Sequence, residues 1–315
     1  MSVGSRPLVP SRLAPGGISH SSRRTPRTVV GGYVALTKPR IIELLLITTV
    51  PTMVMAQAGW PSTKLVLITL FGGTLAAGGA NAINMYVDRD IDKLMVRTQG
   101  RPLVTGLIKP RNALVFAVVL QIIAFAVLWS GANLLSAVLA LSATLFYVFI
   151  YTLWLKRTSR QNIVIGGAAG AMPVLIGWSA VTNEIAWPPV LLFGIMFMWT
   201  PPHFWALAIR HVEDYRAANV PMLPVVAPLE QVLRQMLAYT VIMVAGTLVL
   251  IPVGHLGWIY GIGAAVLGAL FIFGTLALSK NPEPHKAMRL FGYSISYVTL
   301  LFGVLTVDVL VRNGF

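Results

Sequence analysis

The chain has no cysteine and little charge. Without cysteine there is no disulfide framework, no thiolate metal site and no cysteine nucleophile. Charged residues make up 11% of its 315 residues, against about 25% in an ordinary soluble domain. That deficit excludes a conventional soluble enzyme. Acid is the scarcer sign: 10 Asp and Glu stand against 24 Lys and Arg, a net charge of +14. A basic balance can mark a nucleic-acid binder, with cations clustered on one face. Here they fall in an N-terminal tail and in short loops between apolar runs, which is membrane topology. No nucleic-acid partner is expected.

What fills the chain is apolar: 56% of residues are hydrophobic. Nine segments of about 18–23 residues are long enough to cross roughly 30 Å of hydrocarbon. They run over 41–59, 65–87, 112–130, 133–154, 162–181, 187–209, 232–253, 257–278 and 290–311. The expected fold is therefore all-α and integral to the membrane, with nine transmembrane helices and the lipid bilayer as its solvent. Residues 1–32, with Arg6, Arg12, Arg23, Arg24 and Arg27, carry no apolar stretch of a secretory signal. Their composition predicts a disordered basic tail on an anionic leaflet. Residues 33–315 form one polytopic domain.

Charge also orients the chain. With the N-terminus inside, 22 of the 24 Lys and Arg lie on the inner side, and only Lys64 and Arg312 lie outside. The excess of positive charge inside predicts a cytoplasmic N-terminus and an external C-terminus.

One polar stripe breaks the apolar pattern. Span 2 ends in Asn81–Arg101, NAINMYVDRDIDKLMVRTQGR. On a helix, where each residue turns about 100°, Asn84, Asp88 and Asp92 sit at about 0°, 40° and 80° and share one face. Asp90 would point elsewhere, towards solvent or a salt bridge with Arg89. Asp in the last turns of a helix opposes the macrodipole, so a simple charged helix end explains the cluster poorly. Hard Mg²⁺ takes carboxylate, water and phosphate oxygens, and these three side chains suit a Mg²⁺–diphosphate site. Arg97 and Arg101 follow at once, and a guanidinium fork matches phosphate oxygens. Lys38 before span 1, with Glu43 just inside it, and Lys156 and Arg157 at the end of span 4, with Asn162 opening span 5, bring further polar groups to the same side.

A second constellation closes span 6, WTPPHFWALAIRHVEDYRAANVPMLPVV. Pro201 and Pro202 interrupt the helix and free backbone carbonyls. His203 lies within the apolar segment, where an ionisable group is by default functional. Asp214 reaches the same side as the first motif and is the candidate for a second metal site. The aromatics Phe146, Tyr147, Trp199 and Trp205 are candidate cavity walls, although core packing explains aromatics equally well.

These residues carry a resemblance. The strings LTKPRIIELLL at 36–46, NMYVDRDIDKLMVRTQGRPL at 84–103 and YTLWLKRTSRQNIVIGGAAGAMP at 151–173, with 199–226, resemble the UbiA-type intramembrane prenyltransferases. Within them they are most similar to the protoheme IX farnesyltransferase (heme O synthase) branch. The resemblance covers 33–311 and implies a helix bundle with a central cavity. It implies transfer of farnesyl from farnesyl diphosphate to the vinyl group of heme b, with water added, giving heme o and diphosphate. It makes Asn84, Asp88 and Asp92 the Mg²⁺–diphosphate motif, Arg97 and Arg101 diphosphate ligands, and His203 a heme contact. It also implies a cell-membrane setting, with other heme-maturation or terminal-oxidase assembly proteins as partners. The wider superfamily has Asp at i and i+4 in its second motif, whereas Arg210 stands four residues before Asp214. A quinone-precursor prenyltransferase, a transporter and a non-catalytic heme-binding protein are the alternatives.

Overall fold

The computed structural model describes residues 26–314, apart from the side chains of residues 26, 27, 40, 41 and 43–46. The expected tail up to residue 25, and the side chain of Glu43, lie outside the described residues. All described regular structure is helical.

The long helices are α2 (Pro39–Gln57), α3 (Thr63–Val87), α4 (Pro110–Gly131), α5 (Leu134–Thr158), α6 (Asn162–Thr182) and α7 (Trp187–Arg210), then α9 (Leu229–Val253), α10 (Trp258–Lys280) and α11 (Pro284–Arg312). Three short helices lie at their ends: α1 (Pro26–Thr37) before α2, α8 (Val212–Ala217) after α7, and a single turn, Leu223–Val226, before α9. Among the described residues, eight helices, α3 to α7 and α9 to α11, are long and apolar enough to cross a membrane. The expected segment 41–59 is α2, 19 residues long. Consecutive helices pack in sequence, and α11 returns to pack on α2, closing a ring. Helix α6 also packs on α2, and α7 on α11.

Burial follows from the solvent. Large apolar residues such as Leu67, Phe71, Ile122, Phe149, Ile242 and Phe273 face outward, as lipid-facing residues do. Lipid provides no hydrophobic drive between helices, so small residues allow close packing. A Cβ on Gly79 would meet Ala117 O at 2.9 Å and Gln121 Nε2 at 2.5 Å. That approach lets Gln121 donate to Ala76 O at 2.6 Å.

Three expectations are corrected. Residues 26–32, assigned to the tail, belong to α1, whose Tyr33 packs edge-on against Phe116. The last span starts at Pro284 rather than 290, with proline in the first turn, where its missing N–H costs nothing. The third concerns the motif: α3 ends at Val87, and Asp88 is its C-cap at φ −80°, ψ 2°. Asp92 lies in a separate 3₁₀ turn, Ile91–Lys93. Carboxylates in the last turn oppose the helix dipole, and the helix stops where they begin.

Candidate active site

The break in α3 does not scatter the motif. Asp88 N–H donates to Asn84 O and Asp92 N–H to Asp88 O, each at 2.9 Å, so one residue hands the chain to the next. Thr98 Oγ1 donates to Asp92 O at 2.7 Å and ties the loop back on itself. Asn84, Asp88 and Asp92 are all buried. Asn84 Nδ2 donates to Asp88 Oδ2 at 2.8 Å and to Thr152 Oγ1 at 3.1 Å.

Three cations surround the carboxylates. Arg101 Nη1 lies 2.5 Å from Asp92 Oδ2. Lys156 Nζ donates to Asp88 Oδ2. Lys38 Nζ donates to Asn84 Oδ1 at 2.9 Å. Lys38 is aimed there by a left-handed backbone, φ 53°, in the one-residue link between α1 and α2. Such a conformation is uncommon for a side chain with a Cβ, and strain of this kind gathers at functional sites. Burial pulls the Lys38 ammonium down to about 7, helped by the nearby Arg101 and Lys156 charges. Burial raises the Asp92 carboxyl, while Arg101 opposes that shift.

Lys156 reaches the site through an irregular helix. Residues Phe146–Leu155 of α5 form a π-helix, a wider turn that recurs at functional sites. Thr152 Oγ1 accordingly bonds the carbonyl five residues back, Tyr147 O, at 2.8 Å. Tyr147 and Tyr151 stack at 5.4 Å between ring centroids. Tyr151 lies flat on α6, where a Cβ at Gly166 would overlap its ring edge. Thr152 has no distinguishing mark in the sequence and is found only through the fold.

Other expected residues are placed differently. Asp90 pairs with Arg157 through two 2.7 Å bonds, which hold its carboxyl down at about 2. Arg89, its expected partner, lies over the Tyr86 ring instead. Arg157 therefore faces Asp90 first and is 3.8 Å from Asp88. Arg97 is exposed and reaches the Tyr215 hydroxyl rather than the two aspartates. Asp214 Oδ1 accepts from Val96 N–H at 3.1 Å, and its Oδ2 lies 3.7 Å from His211 Nδ1. No cluster of three or more His, Asp or Glu with metal-site spacing occurs among the described residues. Asn162 is fully buried, and neither end of its carboxamide has a partner among the described residues.

His203 is buried between Trp199 and Phe291, stacked at 4.2 and 4.6 Å. Its Nδ1 is 2.6 Å from Ser294 Oγ. Ser294 donates its own proton to Phe291 O at 2.6 Å. The hydrogen-bond pattern thus assigns the proton of a neutral ring to Nδ1 and the lone pair to Nε2. Of the candidate wall aromatics, Trp205 is fully buried against Tyr239, and Trp199 donates to Ser294 O at 2.9 Å.

A metal can be tested against these oxygens. Asp88 Oδ1 and Asp92 Oδ1 are buried with no hydrogen-bond partner among the described residues. A buried carboxylate oxygen without a partner is costly. Two such hard oxygens, with no third acidic ligand, fit Mg²⁺, which completes its shell with water and phosphate. The two aspartates fit that group, whereas Asn84 Oδ1 already accepts from Lys38 Nζ.

The family model of the UbiA prenyltransferase family matches residues 45–301. The chain belongs to the UbiA prenyltransferase family. Among relatives of this UbiA-family enzyme, a protoheme IX farnesyltransferase of Pseudarthrobacter chlorophenolicus is 51% identical, covering 98% of this chain and 96% of its own. One of Paenarthrobacter aurescens is 55% identical over 90% of both chains. Among solved structures, a digeranylgeranylglyceryl phosphate synthase has a TM-score of 0.74 at 19% identity, covering 90% of this chain and 99% of that one. A UbiA homolog from Archaeoglobus fulgidus bound to DMAPP and Mg²⁺ has a TM-score of 0.63 at 19% identity, covering 87% and 99%. These likenesses show the UbiA fold.

Proposed function

We propose that the chain transfers the farnesyl group of farnesyl diphosphate to the vinyl group of heme b, with addition of water, giving heme o and diphosphate. The observation that carries prenyl transfer is the pair of buried oxygens on Asp88 and Asp92 that have no hydrogen-bond partner among the described residues, set among Lys38, Arg101 and Lys156. The heme acceptor is supported by relatives more than 50% identical that bear the name protoheme IX farnesyltransferase.

Asn84, Asp88 and Asp92 hold Mg²⁺ in this reading, and Asp214 is the candidate for a second ion. Bound Mg²⁺ supplies charge that stabilises the diphosphate as it leaves. Arg101, Lys156 and Lys38 bind diphosphate oxygens, with Arg97 and Arg157 at the rim, so charge is met where it develops. As the C1–O bond weakens, C1 of the chain becomes electron-poor. The vinyl group of heme supplies the electron pair for the new carbon–carbon bond, and water adds to the cation left on the porphyrin side chain and loses a proton, leaving a hydroxyl. Tyr147 and Tyr151 shield the reacting carbon from early capture by water. His203 presents Nε2 towards the heme. A central cavity takes the isoprenoid tail.

The chain crosses the cell membrane nine times, α2 included, with its N-terminus and active site at the cytoplasmic face. The basic excess at one end of the spans supports that orientation. The test is mass spectrometry of hemes from cells carrying the wild type or Asp92→Ala as the sole copy. Heme b should accumulate and heme o vanish in the variant. Unchanged heme o would sink the reading.

A further inference from the structure

A cavity of about 620 Å³ opens between the end of α7 and the start of α11, lined by Arg210, Pro284, His285, Met288 and Arg289. The volume is in the range of small-molecule sites. Its residues are separate from Asp88 and Asp92, but it lies at the same end of the bundle, because α8 follows Arg210 directly and its Asp214 touches Val96.

Arg210 and Arg289 are both exposed, and neither has an ion-pair partner among the described residues. Glu283, the acid nearest Arg289 in sequence, is already taken by His285 and Lys286, each at 3.0 Å, and the two acids nearest Arg210, Glu213 and Asp214, are taken by Arg216 at 2.5 Å and by Val96 N–H at 3.1 Å. Arg101 and Lys156, by contrast, each hold an aspartate. Two uncommitted guanidinium forks at one mouth match two carboxylates, each able to accept a bidentate pair.

Met288 is one helical turn from Phe291, and Phe291 stacks on His203. Along α7, His203 lies two turns from Arg210, about 10 Å deeper and about 20° round the same face. The seam between α7 and α11 therefore runs from a dicationic rim into an aromatic interior.

We propose that this cavity holds the two propionates of heme b, with Arg210 and Arg289 as its carboxylate clamp. The proposal rests on heme b being the acceptor. The porphyrin carries its carboxylates on one edge and its vinyl groups on the opposite edge. Held by the propionates at the membrane surface, it must turn the vinyl edge inward, where the prenyl chain lies. The two arginines thus set the orientation of the acceptor and which end of it can react. An anionic lipid headgroup offers the same kind of charge, so the test separates the two sources.

The experiment uses the full chain in nanodiscs of neutral phosphatidylcholine. Heme b and its dimethyl ester, whose propionates are blocked, are titrated into wild type, Arg289→Lys and Arg210→Gln/Arg289→Gln. The wild type should bind heme b about tenfold or more tightly than the ester, roughly the worth of a partly exposed arginine–carboxylate pair. The double variant should bind both alike, and Arg289→Lys should fall between them. Both residues are exposed, so the variants should fold, and unchanged affinity for farnesyl diphosphate checks that. A double variant that keeps the preference for heme b overturns the proposal. So does one that loses co-bound phosphatidylglycerol in mixed nanodiscs while its heme preference stays intact, which makes the cavity a lipid site. Absence of heme o from wild type given both substrates would instead defeat the proposed function, whatever the binding result.

Discussion

Arg101 holds one oxygen of Asp92 at 2.5 Å and leaves the other without a hydrogen-bond partner among the described residues. The two side chains therefore act as one unit. Each of Arg101→Ala and Asp92→Ala should lower kcat/KM by about a hundredfold or more, the range for a group that meets transition-state charge. The double variant should lose far less than the product of the two, as coupled neighbours do. Steady-state kinetics on the four proteins gives the coupling. Strictly multiplicative losses would mean that the residues work apart.

Metal removal should act through the substrate. In calorimetry, a chelator should weaken farnesyl diphosphate binding to the wild type about tenfold or more, and added Mg²⁺ should restore it. In Asp88→Asn/Asp92→Asn the chelator should have little further effect. Equal sensitivity in both proteins would place the metal elsewhere.

Lys156 is the near countercharge of Asp88. Lys156→Met leaves a buried carboxylate with the neutral Asn84 donor and, as countercharge, Arg157 at 3.8 Å. Removing one partner of a buried pair costs about 3–5 kcal/mol, and Arg157 should keep the loss towards the lower figure. Adding Asp88→Asn should recover most of the thermal stability without recovering turnover. Recovery of both would make the pair a structural device alone.

Ser294 orients His203 and makes no contact with the acidic loop in any described hydrogen bond. Ser294→Ala should cost about 1 kcal/mol of stability. Its kinetic effect should fall on KM for heme b and leave KM for farnesyl diphosphate within about twofold. A parallel rise in both constants would argue against a heme-facing role for His203.

Topology has its own test. With nine spans and an internal N-terminus, alkaline phosphatase fused after residue 315 should be active, and a fluorescent protein fused there should be dark. The opposite pattern would remove one crossing, and α2 is the first segment to suspect.

Much of the fold is legible because apolar runs of span length have few alternatives in a membrane. The ends of α4, α6 and α7 fall within two residues of the expected segments. Pro284 was also a readable start signal, although the mean apolarity of 284–289 hides it. The π-helix of α5 has no local signature: FYVFIYTLWL contains neither glycine nor proline, and the wide turn shows only in the folded backbone, where Lys156 N–H reaches Tyr151 O. The end of α3 at Asp88 was half legible. The clash of aspartates with the helix dipole was visible, but it indicated a break as much as a metal site. Long-range partners were not readable at all. Asp90 chose Arg157, 67 residues away, over its neighbour Arg89.

The bond from Val96 N–H to Asp214 joins the loop that follows the first acidic motif to a helix more than a hundred residues later. The geometry of Asp92 is thus partly inherited from the second half of the chain. A chimaera that imports segment 88–101 from a distant family member should bring 211–215 with it, because the two segments form a single exchangeable module.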